Sequence, residues 1–120
     1  AANLLGAKMH ELSIVAALIE LCEDSAREQN ATKIGEIHTK IGVLSGIDKE
    51  QFRLCFESFK QGTMCENATL FMQDEPLCGE CACGFCGELD GRSFYCPKCK
   101  ANTLKITAGE EFYLMRLVME

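Results

Sequence analysis

The sequence predicts an α+β fold: two helices packed on a small three-stranded sheet, with a cysteine-rich loop inserted before the last strand. Three observations predict it. Apolar residues recur at intervals of three and four in two stretches, which is the stripe of an amphipathic helix. They alternate with period two in three others, the pattern of a strand. Periodicity then disappears where six of the nine cysteines crowd together, from Cys78 to about Lys100.

From His10 to about Asn30, Leu12, Val15, Ala16, Ile19, Cys22 and Ala26 mark one face of a first helix, with Asn30 as its stop. From Ile34 the period changes: Ile37, Thr39, Ile41 and Val43 lie on one side of a strand, and Glu36, His38 and Lys40 on its wet side. Gly42, Ser45 and Gly46 loosen the backbone before Asp48, which is placed to cap a second helix, with Gln51 three residues on completing a capping-box-like pair. Phe52, Cys55, Phe56 and Phe59 form the buried stripe of that helix. Ala68 to Gln73 is a second strand, ended by Asp74-Glu75-Pro76. The third runs from Glu111 to Met119, and because both of its faces are apolar it is expected to lie centrally in the sheet. The order divides the chain into a leader at 1–8, an α+β domain at 9–76 and 105–120, and a loop domain at 77–104.

Composition narrows the class. A chain of 120 residues with 48% hydrophobic content suffices for one modest core and a metal-stapled appendage. No apolar run approaches the ~20 residues a membrane helix needs, and Ala1 to Lys8 lacks the basic start and apolar centre of a secretory signal. With 12 basic against 18 acidic residues the net charge is −6, which repels phosphate backbones and argues against nucleic acid as a partner. Nine cysteines without a secretory signal point to a reducing compartment, the cytoplasm, where thiols hold metal more often than they form disulfides.

The motif Cys96-Pro97-Lys98-Cys99 makes the metal specific. Two C-x-x-C turns close a four-sulfur shell with no open position, as in zinc-ribbon and rubredoxin-like sites, and zinc is the expected occupant; iron is chemically possible with the same sulfurs. For the upstream turn the choices are Cys78 with Cys81 and Cys83 with Cys86. The second pair is favoured because Gly84 and Gly87 permit the positive φ and close amide approach of a thiolate knuckle. Cys78 and Cys81 stay open as alternatives, since nine residues separate Cys86 from Cys96, a short span. The zinc is read as structural.

Met9-His10-Glu11 at the start of the first helix, the phrase Lys40-Ile41-Gly42-Val43-Leu44-Ser45-Gly46, the cysteine loop, and Gly109-Glu110-Glu111-Phe112-Tyr113-Leu114 near the end belong together. In that combination the chain resembles the HypA/HybF family of hydrogenase nickel-insertion proteins, from Met9 to Glu120. The resemblance implies a nickel metallochaperone rather than an enzyme. Its cargo Ni(II) would sit at His10, with Glu11 beside it, and its zinc at Cys83, Cys86, Cys96 and Cys99. It implies delivery to the large subunit of a [NiFe]-hydrogenase through a GTPase partner. An imidazole with neighbouring main-chain nitrogens is a donor field that suits Ni(II), and it binds only while the imidazole is neutral. One departure matters: in the family the methionine is the first residue, whereas here Lys8-Met9 is a peptide bond and removes that amine from the donor set. The chain is expected to act as a monomer or homodimer, off the membrane.

The remaining candidates are blander. His38 is expected at the surface of its strand, and Cys22 and Cys55 within helical stripes are expected as core thiols. Cys65 is read as a loop thiol or a weak soft-metal contact. Two rival functions are weighed against the carrier. A C-x-x-C thiol oxidoreductase needs a low-pKa cysteine opening a helix, and none of these pairs opens one. A zinc-ribbon nucleic-acid binder would rest on only Lys98, Lys100 and Lys105 near the loop, against an excess of acid.

Overall fold

The computed structural model describes residues 2–3, 11–90 and 95–120, and of Ala2, Asn3 and Glu11 the backbone only. Two layers form its main body. Helix α1 (Glu11–Glu28) and helix α2 (Lys49–Phe59) cover one face of a sheet built from β1 (Ala2–Asn3), β2 (Ile34–Gly42), β3 (Thr69–Glu75) and β7 (Phe112–Met119), in the order β1-β7-β2-β3. Three further short strands, β4 (Cys78–Glu80), β5 (Cys86–Glu88) and β6 (Lys105–Ala108), make a second sheet in the order β5-β4-β6.

The helices form where the apolar spacing placed them. Val15, Ile19, Cys22 and Ala26 of α1 are buried as expected, but Leu12 and Ala16 are exposed and Ile14 and Leu18 complete the buried stripe. Its last turn closes on Asn30, which adopts the left-handed conformation (φ 57°) so that Ala31 N–H reaches back to Ala26 O at 2.8 Å. At the start of α2, Asp48 Oδ1 accepts from Gln51 N–H at 3.1 Å, as the capping pattern anticipated. Phe52 and Phe56 are fully buried, but Phe59 ends the helix 44% exposed, outside the stripe assigned to it.

Strand β2 is the axis of the main sheet. It pairs in parallel with β3 and antiparallel with β7, so it has long neighbours on both sides. The parallel β2–β3 pair requires a crossover, and α2 supplies it. Strand β7 lies inside the sheet as expected, between β1 and β2. Among the described residues, its edge away from β2 meets Ala2 and Asn3, opposite Leu114 and Tyr113. Its two apolar faces are not equally covered: Met115 and Val118 stay exposed, while Phe112 and Leu114 enter the core. There Phe112 meets Phe52 with ring centroids 5.0 Å apart. Thr39, the buried polar residue of β2, donates its hydroxyl to Phe71 O at 2.8 Å.

The cysteine-rich stretch is more regular than its lack of periodicity implied. Antiparallel pairing of β4 with β5 and of β4 with β6 orders it around three-residue and four-residue strands, too short to show a pattern. Lys105–Ala108, assigned by sequence to the α+β domain, pairs with β4 instead. The two sheets meet at a tight seam. Gly109 (φ 103°) sits so close to the chain that a Cβ there would fall 2.6 Å from Leu77 Cα, and its N–H donates to Glu75 Oε1 at 3.2 Å.

Candidate metal centre

The second sheet exists to present thiols. Between β4 and β5 the chain reverses through Cys81–Phe85, closed by Cys81 N–H to Phe85 O at 2.9 Å and Gly84 N–H to Cys81 O at 3.0 Å. Gly84 takes φ 99°, the left-handed region that glycine tolerates. Opposite it, Pro97 and Lys98 turn the chain so that Lys98 N–H and Cys99 N–H both point at Cys96 Sγ, each at 3.4 Å. Lys100 (φ 64°) completes this knuckle, its N–H donating to Cys96 O at 2.9 Å.

Four sulfurs converge between the two turns. The Sγ atoms of Cys81, Cys83, Cys96 and Cys99 all lie within 4.8 Å of one another. Cys81 and Cys99 are 3.7 Å apart, and Cys83 and Cys96 are 3.6 Å apart. A tetrahedron with zinc–sulfur bonds of about 2.3 Å has edges of about 3.8 Å. The cluster thus has the donor type, number and spacing of a closed thiolate site. Cys96 is buried beneath it, whereas Cys83 and Cys99 face solvent.

The electrostatics favour the thiolate at Cys81 and Cys96 and oppose it at Cys99. A backbone N–H from Cys83, then the Thr103 hydroxyl, pull the Cys81 pKa down to about 6. Burial works against ionising Cys96, yet the Cys99 and Lys98 amides outweigh it and its pKa falls below the ordinary thiol value. Cys99 gains a backbone bond at Ala101 that lowers its pKa, but desolvation and proton sharing with Cys81, Cys83 and Cys96 raise it to about 11. Cys81, Cys96 and Cys99 thus hold negative charge unequally, as neighbouring thiols sharing protons must.

Of the four cysteines favoured from sequence, the structure brings Cys83, Cys96 and Cys99 together and leaves Cys86 outside. Cys81 fills the fourth place. The reason is the strand register. Cys86 is already the first residue of β5, paired with Glu80 and exposed, while Cys81 and Cys83 stay in the turn that faces the knuckle. Cys78, on β4, is also outside the cluster. Both upstream pairs read from sequence were C-x-x-C turns, with glycine favouring Cys83 and Cys86, whereas the hairpin presents the C-x-C of Cys81 and Cys83.

His10 lies outside the described residues, and so does the side chain of Glu11, whose backbone opens α1. His38 is only partly at the surface. Its ring stacks on Phe71 at 4.6 Å, and Nε2 lies 2.7 Å from Glu36 Oε1 and 3.1 Å from the Arg116 guanidinium. Cys65 lies in the loop between α2 and β3 but is fully buried, and Cys55 is half-buried against the core. Among the described residues, no helix is long and apolar enough to cross a membrane.

Comparison with known proteins agrees with this architecture. Residues 9–119 match the family model described as hydrogenase/urease nickel incorporation, metallochaperone, hypA. The chain is 48% identical over 116 residues to the hydrogenase maturation factor HypA of Campylobacter jejuni, covering 93% of this chain and 100% of that one. It is 39% identical over 113 residues to that of Aquifex aeolicus, covering 93% and 98%. The solution structure of the Ni metallochaperone HypA from Helicobacter pylori superposes with a TM-score of 0.72 at 36% identity, over 92% of this chain and 97% of that chain. On the family match across nearly its whole length, and on the relatives that share its fold, the chain belongs to the HypA family of nickel-incorporation metallochaperones.

Proposed function

We propose that this protein carries Ni(II) and hands it over for assembly of the [NiFe]-hydrogenase active site, with zinc as a resident structural ion and no reaction catalysed. The family match over residues 9–119 is the observation that carries this reading. The division of labour follows from coordination chemistry. A cargo must leave, so it needs few ligands at an open site, whereas four thiolates in a closed shell release zinc too reluctantly to serve as a carrier. Nickel is therefore assigned to His10, with Glu11 beside it, at the start of α1. The receiving partners in this proposal are a GTPase and the hydrogenase large subunit, met in the cytoplasm.

Cys81, Cys83, Cys96 and Cys99 are proposed to hold the zinc, supported by sulfur spacings of 3.6 and 3.7 Å. Zinc there ties the β4–β5 turn to the Cys96–Cys99 knuckle, a stretch with little core of its own. The C-x-x-C spacing favours a second set in which Cys86 replaces Cys81. Zinc content of Cys81→Ser and Cys86→Ser separates the two: the true ligand's variant loses zinc and the other retains it.

Delivery is tested in cells that lack the native factor. His10→Ala protein is expected to leave hydrogenase activity low at limiting nickel, with activity returning when nickel is supplied in excess. Full activity from His10→Ala at limiting nickel contradicts the carrier reading.

A further inference from the structure

Strand β3 ends the main sheet, with β2 on one side and no strand on the other among the described residues. Its carbonyls show which groups face that open side. Phe71 O accepts from the Thr39 hydroxyl and Glu75 O from Val43 N–H, so both turn toward β2. Leu70 O and Ala68 O face away, where Arg53 of α2 reaches the first at 3.2 Å and Lys60, at the end of α2, the second at 3.4 Å. Peptide groups alternate sides along a strand, so Met72 and Asp74 point outward with Leu70. Among the described residues, no side chain bonds the outward N–H or C=O of Met72 or Asp74. Such an edge is a template for another strand, and the two cations cover only the carbonyls at its start.

We propose that this edge pairs with the same edge of a second copy of the chain, antiparallel about a two-fold axis at Met72, so that two four-stranded sheets continue as one. With Met72 opposite the partner's Met72, Leu70 falls opposite the partner's Asp74. The three outward residues then exchange N–H and C=O bonds as hydrogen-bonded pairs. One step further, Ala68 meets the partner's Pro76, which has no N–H to give, and Lys60 keeps that carbonyl.

Charge selects the second copy as occupant and sets the register. Asp74 lies on the helix-facing side of β3, where Lys49 Nζ of α2 holds it at 2.9 Å with its side chain 60% exposed. The partner's Asp74 therefore arrives on the same side, beside Arg53, which has no carboxylate partner among the described residues. Arg53 exchanges the Leu70 carbonyl, now taken by the partner's backbone, for that carboxylate, and the two-fold axis repeats the contact. A groove of about 280 Å³ lined by Lys49, Glu50, Arg53 and Met72 leaves room for the partner's Met72 side chain. Reciprocal pairs of this kind offset the repulsion between two chains of net charge −6. The seam is short, so the dimer should exchange with monomer as concentration changes. The inference does not depend on where nickel binds.

The test is residue-resolved amide hydrogen exchange of zinc-loaded protein in reductant, over a concentration series followed in parallel by sedimentation equilibrium. The dimer fraction should rise with concentration, and the Leu70, Met72 and Asp74 amides should slow with it. The Phe71 and Gln73 amides, already turned to β2, should not change. Arg53→Glu and Asp74→Arg each set like charges across the seam and should weaken the dimer by about tenfold or more, whereas the double variant exchanges the signs and should restore it. The proposal is overturned if the protein stays monomeric up to the highest concentration, or if a dimer forms while the Met72 and Asp74 amides exchange as fast as in the monomer. A folded double variant that dimerises as poorly as the single ones overturns it too. Wild-type exchange decides the matter even where a variant fails to fold.

Discussion

At Cys96 a single sulfur accepts two main-chain amides, from Lys98 and Cys99, at 3.4 Å each. Such bonds stabilise the thiolate and are lost with the sulfur, so Cys96→Ser should abolish zinc retention after dialysis; undiminished zinc in a folded variant would contradict the assignment. Unequal thiol acidity gives a second expectation for metal-stripped protein. Cys81 is depressed from 9.0 to about 6, so its stabilising contribution is complete above pH 9 and is lost as pH falls through about 6. Cys99 is raised to about 11, so its contribution is present below pH 9 and is lost as pH rises through about 11. The ultraviolet absorbance of thiolate should accordingly develop in separated stages, one near pH 6 and one well above 9. A single shared step near pH 9 would contradict the geometry of the empty cluster.

Elements of the main body respond to named contacts. Phe112 is fully buried against Phe52, and Phe112→Ala should cost about 3–5 kcal/mol in urea unfolding. Asp48→Ala removes the cap on Gln51 N–H and should cost only about 1 kcal/mol. If the two losses were equal, the ranking of core over cap would fail. Gly109→Ala combines a positive φ with a Cβ 2.6 Å from Leu77 Cα, and backbone atoms have no rotamer to retreat into. It should destabilise the seam by about 3 kcal/mol or more. Both helices and β2, β3 and β7 were legible in the sequence because each runs long enough to show a period. The exposure of Met115 and Val118 on β7 was not, since an apolar outward face reads the same whether it is covered or merely exposed. Strands β4, β5 and β6 escaped because three or four residues cannot display alternation. At the cluster, Cys83, Cys96 and Cys99 were legible from motif chemistry. Cys81 was left as an alternative because hairpin register, which puts Cys86 on β5, is a property of pairing and has no local signature.

Taken whole, the molecule is elongated, 53 Å by 26 Å by 21 Å, with the helices and main sheet forming one layered body and the second sheet set off beyond Gly109. One unit is held by an apolar core and the other by thiols, so they should fail separately. A strong chelator should release zinc and collapse the protection of the β4, β5 and β6 amides while helical circular dichroism persists. Simultaneous loss of both would mean that zinc supports the whole fold. The nickel assignment also belongs to this scale, because it asks two chemically different metal sites to coexist on one small chain. Its most direct test is paired zinc and nickel analysis, after nickel loading and desalting, of wild type and His10→Ala with Met9 as the free terminus. The account predicts about one zinc in both proteins and about one nickel in wild type alone. Equal nickel in the two proteins, or nickel displacing the zinc, would contradict it.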